Sequence, residues 1–515
     1  MTTQQAPDYP DTIDAAVLKV AGVVVLGAVM SILDITVVNV ALPTFQSVFS
    51  DSDELIAYST VAWTVTGYTL ALATVIPLTG WAADRFGTKR LYLAAIALFT
   101  AGSALCATAT SIHMLIGFRV LQGLGGGMLM PLGMTIMTKA AGPKRMGRLM
   151  AILGVPMLLG PIGGPILGGW LIAHASWHWI FLINLPLGII ALVYAWAVLP
   201  KDRPEPSESF DFLGMALMSP GLALFLYGVS SIPGAANGQY GYGRVWLGMV
   251  VGAALVGAFV WHSFRPEHPL LDLRLYKNRN LTIANVTMFM FAAAFFGGLL
   301  LVPTYFQSVR GESTFDAGLL VAPQGVGAMV TMPIAGALSD RLPVGRIVPV
   351  GMVLIIIGMF GLTQVGDGTS YALLIAELVV MGFGMGATMM PLFTSALKTL
   401  RAQEVARGST LLNISQQIAA SVGVAVMSVI LTAHLNGSQF ANPAIAEQTG
   451  RAPAGTLPDA AFLQGLADAA KSFAGTYWVA WALVVLCLIP AYFLPRRREA
   501  THLLDDEGVA PVVVH

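Results

Sequence analysis

Charge is what this sequence has least of. Only 10 % of its 515 residues are charged, against 56 % in the hydrophobic set, and the mean hydropathy is +0.74. Ordinary soluble domains carry roughly 25 % charged residues, so a water-soluble globule is excluded and a polytopic membrane protein is indicated. The 27 bases balance the 27 acids, which removes the overall basic field that points to nucleic acid. Cysteine is nearly absent. Cys106 and Cys487 both fall inside apolar runs, which rules out a disulfide framework and suggests no metal site. No Gly-Lys dipeptide occurs, so a P-loop is missing, and neither HExxH nor G-x-S-x-G is present. ATP drive and an intramembrane enzyme therefore lack support, and no cofactor is expected. The first apolar run follows an acidic, polar leader and is too long for the core of a cleavable signal peptide.

What is present is apolar length. A helix needs about 20 mainly apolar residues to cross the hydrocarbon. Such runs sit near 17–43, 58–80, 91–109, 112–138, 148–173, 177–199, 211–231 and 244–263, then 281–307, 316–338, 346–365, 370–397, 408–435 and 476–494. That makes fourteen. Lys and Arg accumulate on the cytoplasmic side of membrane proteins. With the N-terminus inside, 22 bases fall in inner segments and 4 in outer ones, and Arg119 alone lies within a run. The expected fold is an all-α polytopic membrane protein with both termini cytoplasmic, including the tail 500–515. One outer segment, 436–475, is long, and its amphipathic stretch near Ala460 to Ala470 reads as a short helix lying on the outer surface or as a loop.

Two inner loops repeat a pattern. The first reads Gly80-Trp-Ala-Ala-Asp84-Arg85-Phe-Gly87-Thr-Lys89-Arg90, the second Gly336-Ala-Leu-Ser-Asp340-Arg341-Leu-Pro-Val-Gly345-Arg346. Repeats in corresponding loops indicate two related halves. The pattern resembles the signature loop of the major facilitator superfamily, which follows the second helix of each six-helix half. Here the second copy follows the tenth run, so two helices are inserted between the halves. Further motifs resemble the fourteen-helix drug:proton antiporter branch (EmrB/QacA type). They are Leu33-Asp34-Ile-Thr-Val-Val-Asn39-Val-Ala-Leu-Pro43, Arg119-Val-Leu-Gln122-Gly123, Gly160-Pro161-Ile-Gly-Gly164-Pro165-Ile-Leu-Gly168-Gly169, Trp179-Ile-Phe-Leu-Ile-Asn184-Leu-Pro186-Leu-Gly188 and Gln307-Ser-Val-Arg-Gly311-Glu-Ser313. The resemblance implies a major facilitator fold: halves at 1–200 and 276–499 with inserted helices in 201–275. It also implies alternating access driven by a proton gradient.

Only Asp34, Glu377 and Arg119 place ionisable groups well inside the runs. Such groups cost several kcal/mol on insertion scales, which makes each a functional hypothesis. At about 1.5 Å of rise per residue, Asp34 lies roughly 13 Å, and Arg119 and Glu377 each roughly 10 Å, from the outer ends of their helices. Asp34 is expected to pair with Arg119 and so stay ionised, as a coupling element or as a structural clamp. Glu377 has no intramembrane base left, and burial favours the neutral form that a proton-coupling carboxylate must visit, unless it is merely hydrogen-bonded to neighbours.

The remaining candidates are less specific. Gly160, Gly164, Gly168 and Gly169 with Pro161 and Pro165 suit a bent, close contact between halves, or tight packing alone. Gly80, Asp84, Arg85 and Arg90 with Asp340 and Arg341 suit switchable gates, or mere orientation by charge. Met288, Phe289, Tyr305, Gln307, Met381, Met385, Asn413 and Gln417 suit an adaptable cavity lining, or packing. The expected function is proton-coupled export of amphipathic, lipophilic drugs or toxic compounds across a bacterial cell membrane. Partners are small lipophilic molecules, protons and membrane lipid, with no nucleic acid; an adaptor protein stays open. Rival readings are a dedicated exporter of one metabolite, siderophore or lipid, and a non-transporting sensor or scaffold.

Overall fold

The computed structural model describes residues 14–49, 58–200, 211–236, 241–266, 269–400, 404–449 and 453–497. Its first helices are α1 (Ala15–Phe49), α2 (Tyr58–Val75), α3 (Leu78–Phe86), α4 (Thr88–Ala107) and α5 (Ile112–His174), followed by α6 (Trp179–Leu182) and α7 (Asn184–Val198). A hairpin of α8 (Phe212–Ala236) and α9 (Gly243–Ser263) precedes a short 3-10 helix, Leu273–Lys277. Then come α10 (Arg279–Ser308), α11 (Thr314–Arg341), α12 (Val344–Leu362), α13 (Tyr371–Lys398), α14 (Val405–Asn436), α15 (Ala441–Gln448) and α16 (Asp459–Tyr492). The proposed tail, 500–515, lies outside the described residues.

Local sequence sets the helix starts. Asp14 accepts from Val17 N–H at 2.8 Å, while Ser111, Ser313 and Ser370 cap α5, α11 and α13 through their hydroxyls. Each satisfies a donor that the first helical turn leaves open. Gly87 joins α3 to α4 with φ +87°, a left-handed backbone that explains why the repeated loop needs glycine there. Pro77 stands where α2 and α3 meet at 56°, and its missing N–H breaks the ladder at that point.

Among the described residues, twelve helices are long and apolar enough to cross a membrane, or thirteen with the bent α2–α3 pair counted as one. Exposed apolar side chains ring the outside, among them Ile190 and Trp196 on α7, Trp246 and Leu247 on α9, and Ile357 and Phe360 on α12. In water such a belt would be a liability; against lipid it is the expected exterior.

The backbone stays helical from Ile112 to His174, although its five prolines each remove one hydrogen bond from the ladder, and α5 is not one rod. A straight helix would put residues 119 and 160 about 60 Å apart. Both meet the middle of α1: Arg119 bonds Asp34, and Gly160 lies against Ile32. The chain therefore folds back between these points, giving α5 an outgoing and a returning arm. One expectation needs correction. The stretch from Ala460 to Ala470 does not lie on the surface; it forms the first turns of the 34-residue α16. Its apolar side, including Leu466, Ala469 and Ala470, is buried. The short helix of that segment is α15 instead.

Contacts fall into two bundles. In the first, α1 packs on α5, α2 and α7, and α4 packs on α5 and α7; in the second, α10 packs on α14, α16 and α13, and α13 on α11 and α12. Between them α5 meets α11, α13 and α14, and α3 meets α14. The α8–α9 hairpin lies against α2 of one bundle and α14 of the other. At its base Asp211 accepts from Gly214 N–H at 2.7 Å, His262 Nε2 at 2.8 Å and Leu270 N–H at 3.1 Å, pinning the two ends of the hairpin together.

Candidate functional site

The first bundle buries an ion pair. Arg119 Nη1 donates to Asp34 Oδ2, and both side chains are wholly excluded from solvent. The same guanidinium donates from Nε to the Thr64 carbonyl at 3.1 Å and from Nη1 to Gln122 Oε1 at 2.7 Å. Its Cζ stands 4.1 Å from the centroid of the Tyr68 ring, within cation–π range. Asp34 Oδ1 accepts from Gln122 Nε2 at 2.9 Å and from Asn184 Nδ2 at 3.1 Å. Asn184 also donates to Ser103 Oγ at 3.1 Å. Helices α1, α2, α4, α5 and α7 thus join in one polar network around this carboxylate.

Removing two charges from water costs several kcal/mol per ion, and their attraction repays this only when the remaining lone pairs and protons are satisfied. Asp34 meets that condition with three donors. Arg119 does not quite: its Nη2 is a buried donor with no partner. The sequence selected both charged residues but gave Gln122 and Asn184 no role, although each stands inside a quoted motif.

Glu377 is separate from this cluster. It lies on the face of α13 turned toward α12, where a Cβ added to Gly361 would strike its carboxyl and one added to Gly358 would strike its backbone. Glu377 is half-buried, and its Oε2 has no hydrogen-bond partner. The glycines of the returning arm of α5 also pack within their own bundle. Gly160 faces Ile32, Gly164 faces Thr36 and Gly168 faces Val37, all on α1, while Gly169 faces open space. The stripe is a contact with α1 and not with the second bundle. The side chains of Pro161 and Pro165 lie outside the described residues.

The repeated loops do reach across. Asp84 Oδ2 stands 3.7 Å from Arg407 Nε on α14, and Asp340 Oδ2 accepts from Arg148 Nε on α5 at 3.1 Å. In each case the acid comes from one bundle and the base from the other. Gly80 of α3 faces α14, where a Cβ would meet Arg407 Cα at 3.6 Å, an ordinary contact. Beside the pairs, Thr135 and Ser409 share a hydrogen bond at 3.2 Å, and Asn413 Nδ2 reaches Met134 Sδ at 3.4 Å. The face carrying the basic loops is therefore closed. Arg85, Arg90 and Arg341 are exposed and are not the bases in these two pairs. Arg148 and Arg407, the residues that are, went unselected because nothing in the sequence links a loop to a helix in the other bundle.

The candidate lining residues disperse. Met288, Met381 and Met385 are buried in packing, and Phe289 is 36 % exposed. Met381 lies against Gly358 of α12. Tyr305 donates its hydroxyl to the Gly366 carbonyl at 2.6 Å. Asn413 stands at the seam between bundles, donating to the Ser409 carbonyl, while Gln307 and Gln417 are half-buried. A cavity of about 470 Å³ opens between α10, α14, α15 and α16, lined by Thr304, Ser308, Asn436, Asn442 and Phe473 among others. None of the selected lining residues borders it.

Comparison with known proteins agrees with this architecture. Residues 24–424 match the Major Facilitator Superfamily. The chain is 48 % identical over 511 residues to a Mycobacterium tuberculosis protein named Multidrug resistance protein B homolog, covering 96 % of this chain and 93 % of the relative. It is 31 % identical over 415 residues to the putative multidrug resistance protein MdtD of Yersinia pestis, covering 79 % of this chain and 86 % of that one. In fold it is similar to the proton:xylose symporter XylE, with TM-score 0.61, 15 % identity, and coverage of 95 % of this chain and 98 % of the other.

Proposed function

We propose, from the premise that the chain belongs to the major facilitator superfamily and is a secondary transporter rather than an enzyme, that it exports amphipathic, lipophilic compounds in exchange for protons. One observation carries this reading: a wholly buried Asp34–Arg119 pair on two helices of one bundle, at a depth where ionisable groups persist chiefly for function. The names of the relatives, both multidrug resistance proteins, support the class of cargo.

We count fourteen spans, adding the returning arm of α5 to the thirteen formed with the bent pair. This is the count of the EmrB/QacA-type branch. The basic face, both termini included, is cytoplasmic by the distribution of Lys and Arg. Closure of that face by the Asp84–Arg407 and Asp340–Arg148 pairs then makes this an outward-facing state in a cell membrane. In the proposed cycle Glu377, with an orphaned oxygen where a proton can sit, takes a proton from outside. The pairs on the basic face part, the proton leaves inward, and a lipophilic compound enters from the cytoplasm or inner leaflet. The proton gradient drives the cycle and no cofactor takes part. Asp34, held by Arg119, Gln122 and Asn184, ties α1 to α5 and α7 while the bundles rock. With a single unpaired acid in the spans, neutral or singly charged cationic cargo is favoured over dications.

Proteoliposomes with an imposed pH gradient test this. Lipophilic cations and neutral drugs added to the wild type should release protons. Glu377→Gln should abolish that release and leave binding intact, and Asp34→Asn should impair both. Proton release unchanged in Glu377→Gln would remove Glu377 from the mechanism, and silence across the panel would refute drug:proton exchange.

A further inference from the structure

The two helices between the bundles have no place in the cycle just described. Their packing gives them one. The hairpin is a stiff unit: Gly221 and Gly228 of α8 and Gly248 and Gly252 of α9 bring the two backbones into direct contact, so that a Cβ on Gly248 would meet Gly228 Cα at 3.0 Å. Close backbone approach of this kind resists shear between helices. Toward the first bundle α8 makes directional bonds. Ser219 donates its hydroxyl to the Thr74 carbonyl of α2 at 2.7 Å, and the Tyr227 ring stacks on Trp63 of α2 at 5.5 Å between centroids. The apolar cluster that holds Met218, Leu222 and Leu226 of α8 takes in Ala73 of α2 on one side and Ile414 and Ile418 of α14 on the other, so that the side toward the second bundle is aliphatic. Aliphatic contact of that sort is non-directional and can shift without breaking a hydrogen bond.

The foot of the hairpin meets the second bundle through the 3-10 helix. Arg274 donates to the Pro266 carbonyl at 3.0 Å, and Asn285 of α10 donates to the Tyr276 hydroxyl at 2.7 Å. This attachment lies at one end only, whereas the contacts to α2 are made within α8 itself, at Ser219 and Tyr227. The far side of α9 exposes Trp246, Leu247, Val250 and Trp261, an apolar face suited to lipid.

We propose that the inserted hairpin is a wall carried by the first bundle: fixed to α2, sliding on α14, and keeping the α2/α14 seam shut to lipid in every state. Among the described residues, the seam between α5 and α11 has no such wall. A lipophilic compound arriving through the bilayer would then reach the cavity from that side alone. The inference rests on the alternating-access reading above.

Spin labels at Leu105→Cys (α4), Val251→Cys (α9) and Val426→Cys (α14) test it, all at exposed positions. Cys106 and Cys487 are buried and need not be replaced. Pairwise distances would be measured in lipid, in alkaline buffer and in acidic buffer with tetraphenylphosphonium. The Leu105–Val426 distance reports the rocking itself and should change. The Val251–Leu105 distance should stay fixed, while Val251–Val426 changes by an amount comparable to the rocking. A fixed Val251–Val426 distance, or movement of all three, would overturn the proposal. No movement of the Leu105–Val426 pair would instead overturn the alternating-access reading beneath it. As a second measurement, Ile414→Cys, covered by the wall, should resist a membrane-soluble maleimide in both buffers. Labelling in either one would show that the seam opens.

Discussion

At the scale of single residues, two carboxyls in the spans live in opposite surroundings. Asp34 is saturated by Arg119, Gln122 and Asn184, whereas Glu377 leaves one oxygen without a partner. A glycine makes this contrast testable without touching the carboxyl. A Cβ at residue 361 would push on the Glu377 side chain from Cγ to the carboxyl, whereas one at residue 358 would press on the Glu377 carbonyl and on Met381. Gly361→Ala should therefore lower proton-coupled transport at least several-fold and change thermal stability by less than about 1 kcal/mol, the cost of a small side-chain shift. Gly358→Ala should mainly destabilise, by roughly 1–3 kcal/mol as overpacking does. Transport assays and melting curves of the two variants separate these outcomes; equal transport by Gly361→Ala and wild type would detach Glu377 from coupling. The Asp34–Arg119 pair was legible in the sequence because charge inside an apolar run has few tolerable partners. The amides of Gln122 and Asn184 were not, since uncharged side chains are cheap enough to occur anywhere along a span. Depth alone also left the rotation of α13 open, and so did not show that Glu377 turns toward α12.

At the scale of elements, apolar length revealed the spans but not their bends. Periodicity cannot distinguish a chain that reverses while its backbone stays helical, as in α5, from two helices and a loop. Nor did the polar stripe near Ala460 distinguish a helix lying on a membrane from the outer turns of α16, because both are amphipathic. The inserted hairpin offers a pH test. Burial by itself would raise the pKa of Asp211, but hydrogen bonds from His262, Gly214 and Leu270 outweigh it and hold the carboxyl below its ordinary value. A carboxyl depressed in the folded state adds stability that is fully present above the unfolded value, near 3.9, and lost as pH falls through the folded one. Asp211→Asn should thus be less stable than wild type at neutral pH. The gap between their melting temperatures in detergent should close as the solution is acidified past the carboxylate range. A gap that persists unchanged in acid would mean that charge on Asp211 does not hold the hairpin.

At the scale of the whole molecule, two ion pairs join the bundles at the basic face. Both are partly exposed, so each is worth roughly 0.5–1 kcal/mol, or a two- to five-fold shift in the open–closed balance. Asp84→Asn or Asp340→Asn alone should raise the population open at the basic face by about that factor. The double variant should raise it further than either change alone, by about the product of the two where the pairs act independently. Accessibility of an introduced Thr135→Cys to a water-soluble maleimide reads this directly. No gain in labelling for the double variant would show that apolar contact closes the face unaided. The repeat announced the two acids, but their partners come from the opposite bundle and could not be read along the chain.

The crossed pairing also bears on ancestry. Acid and base are spaced alike in the two bundles, 84 to 148 and 340 to 407, and each acid meets the other bundle's base. Reciprocal contact of this kind defines an isologous interface between identical subunits. Two copies of a single ancestral bundle would have closed on each other through the same lock, twice over. Within one chain, the contact pattern is the one that a homodimer would show.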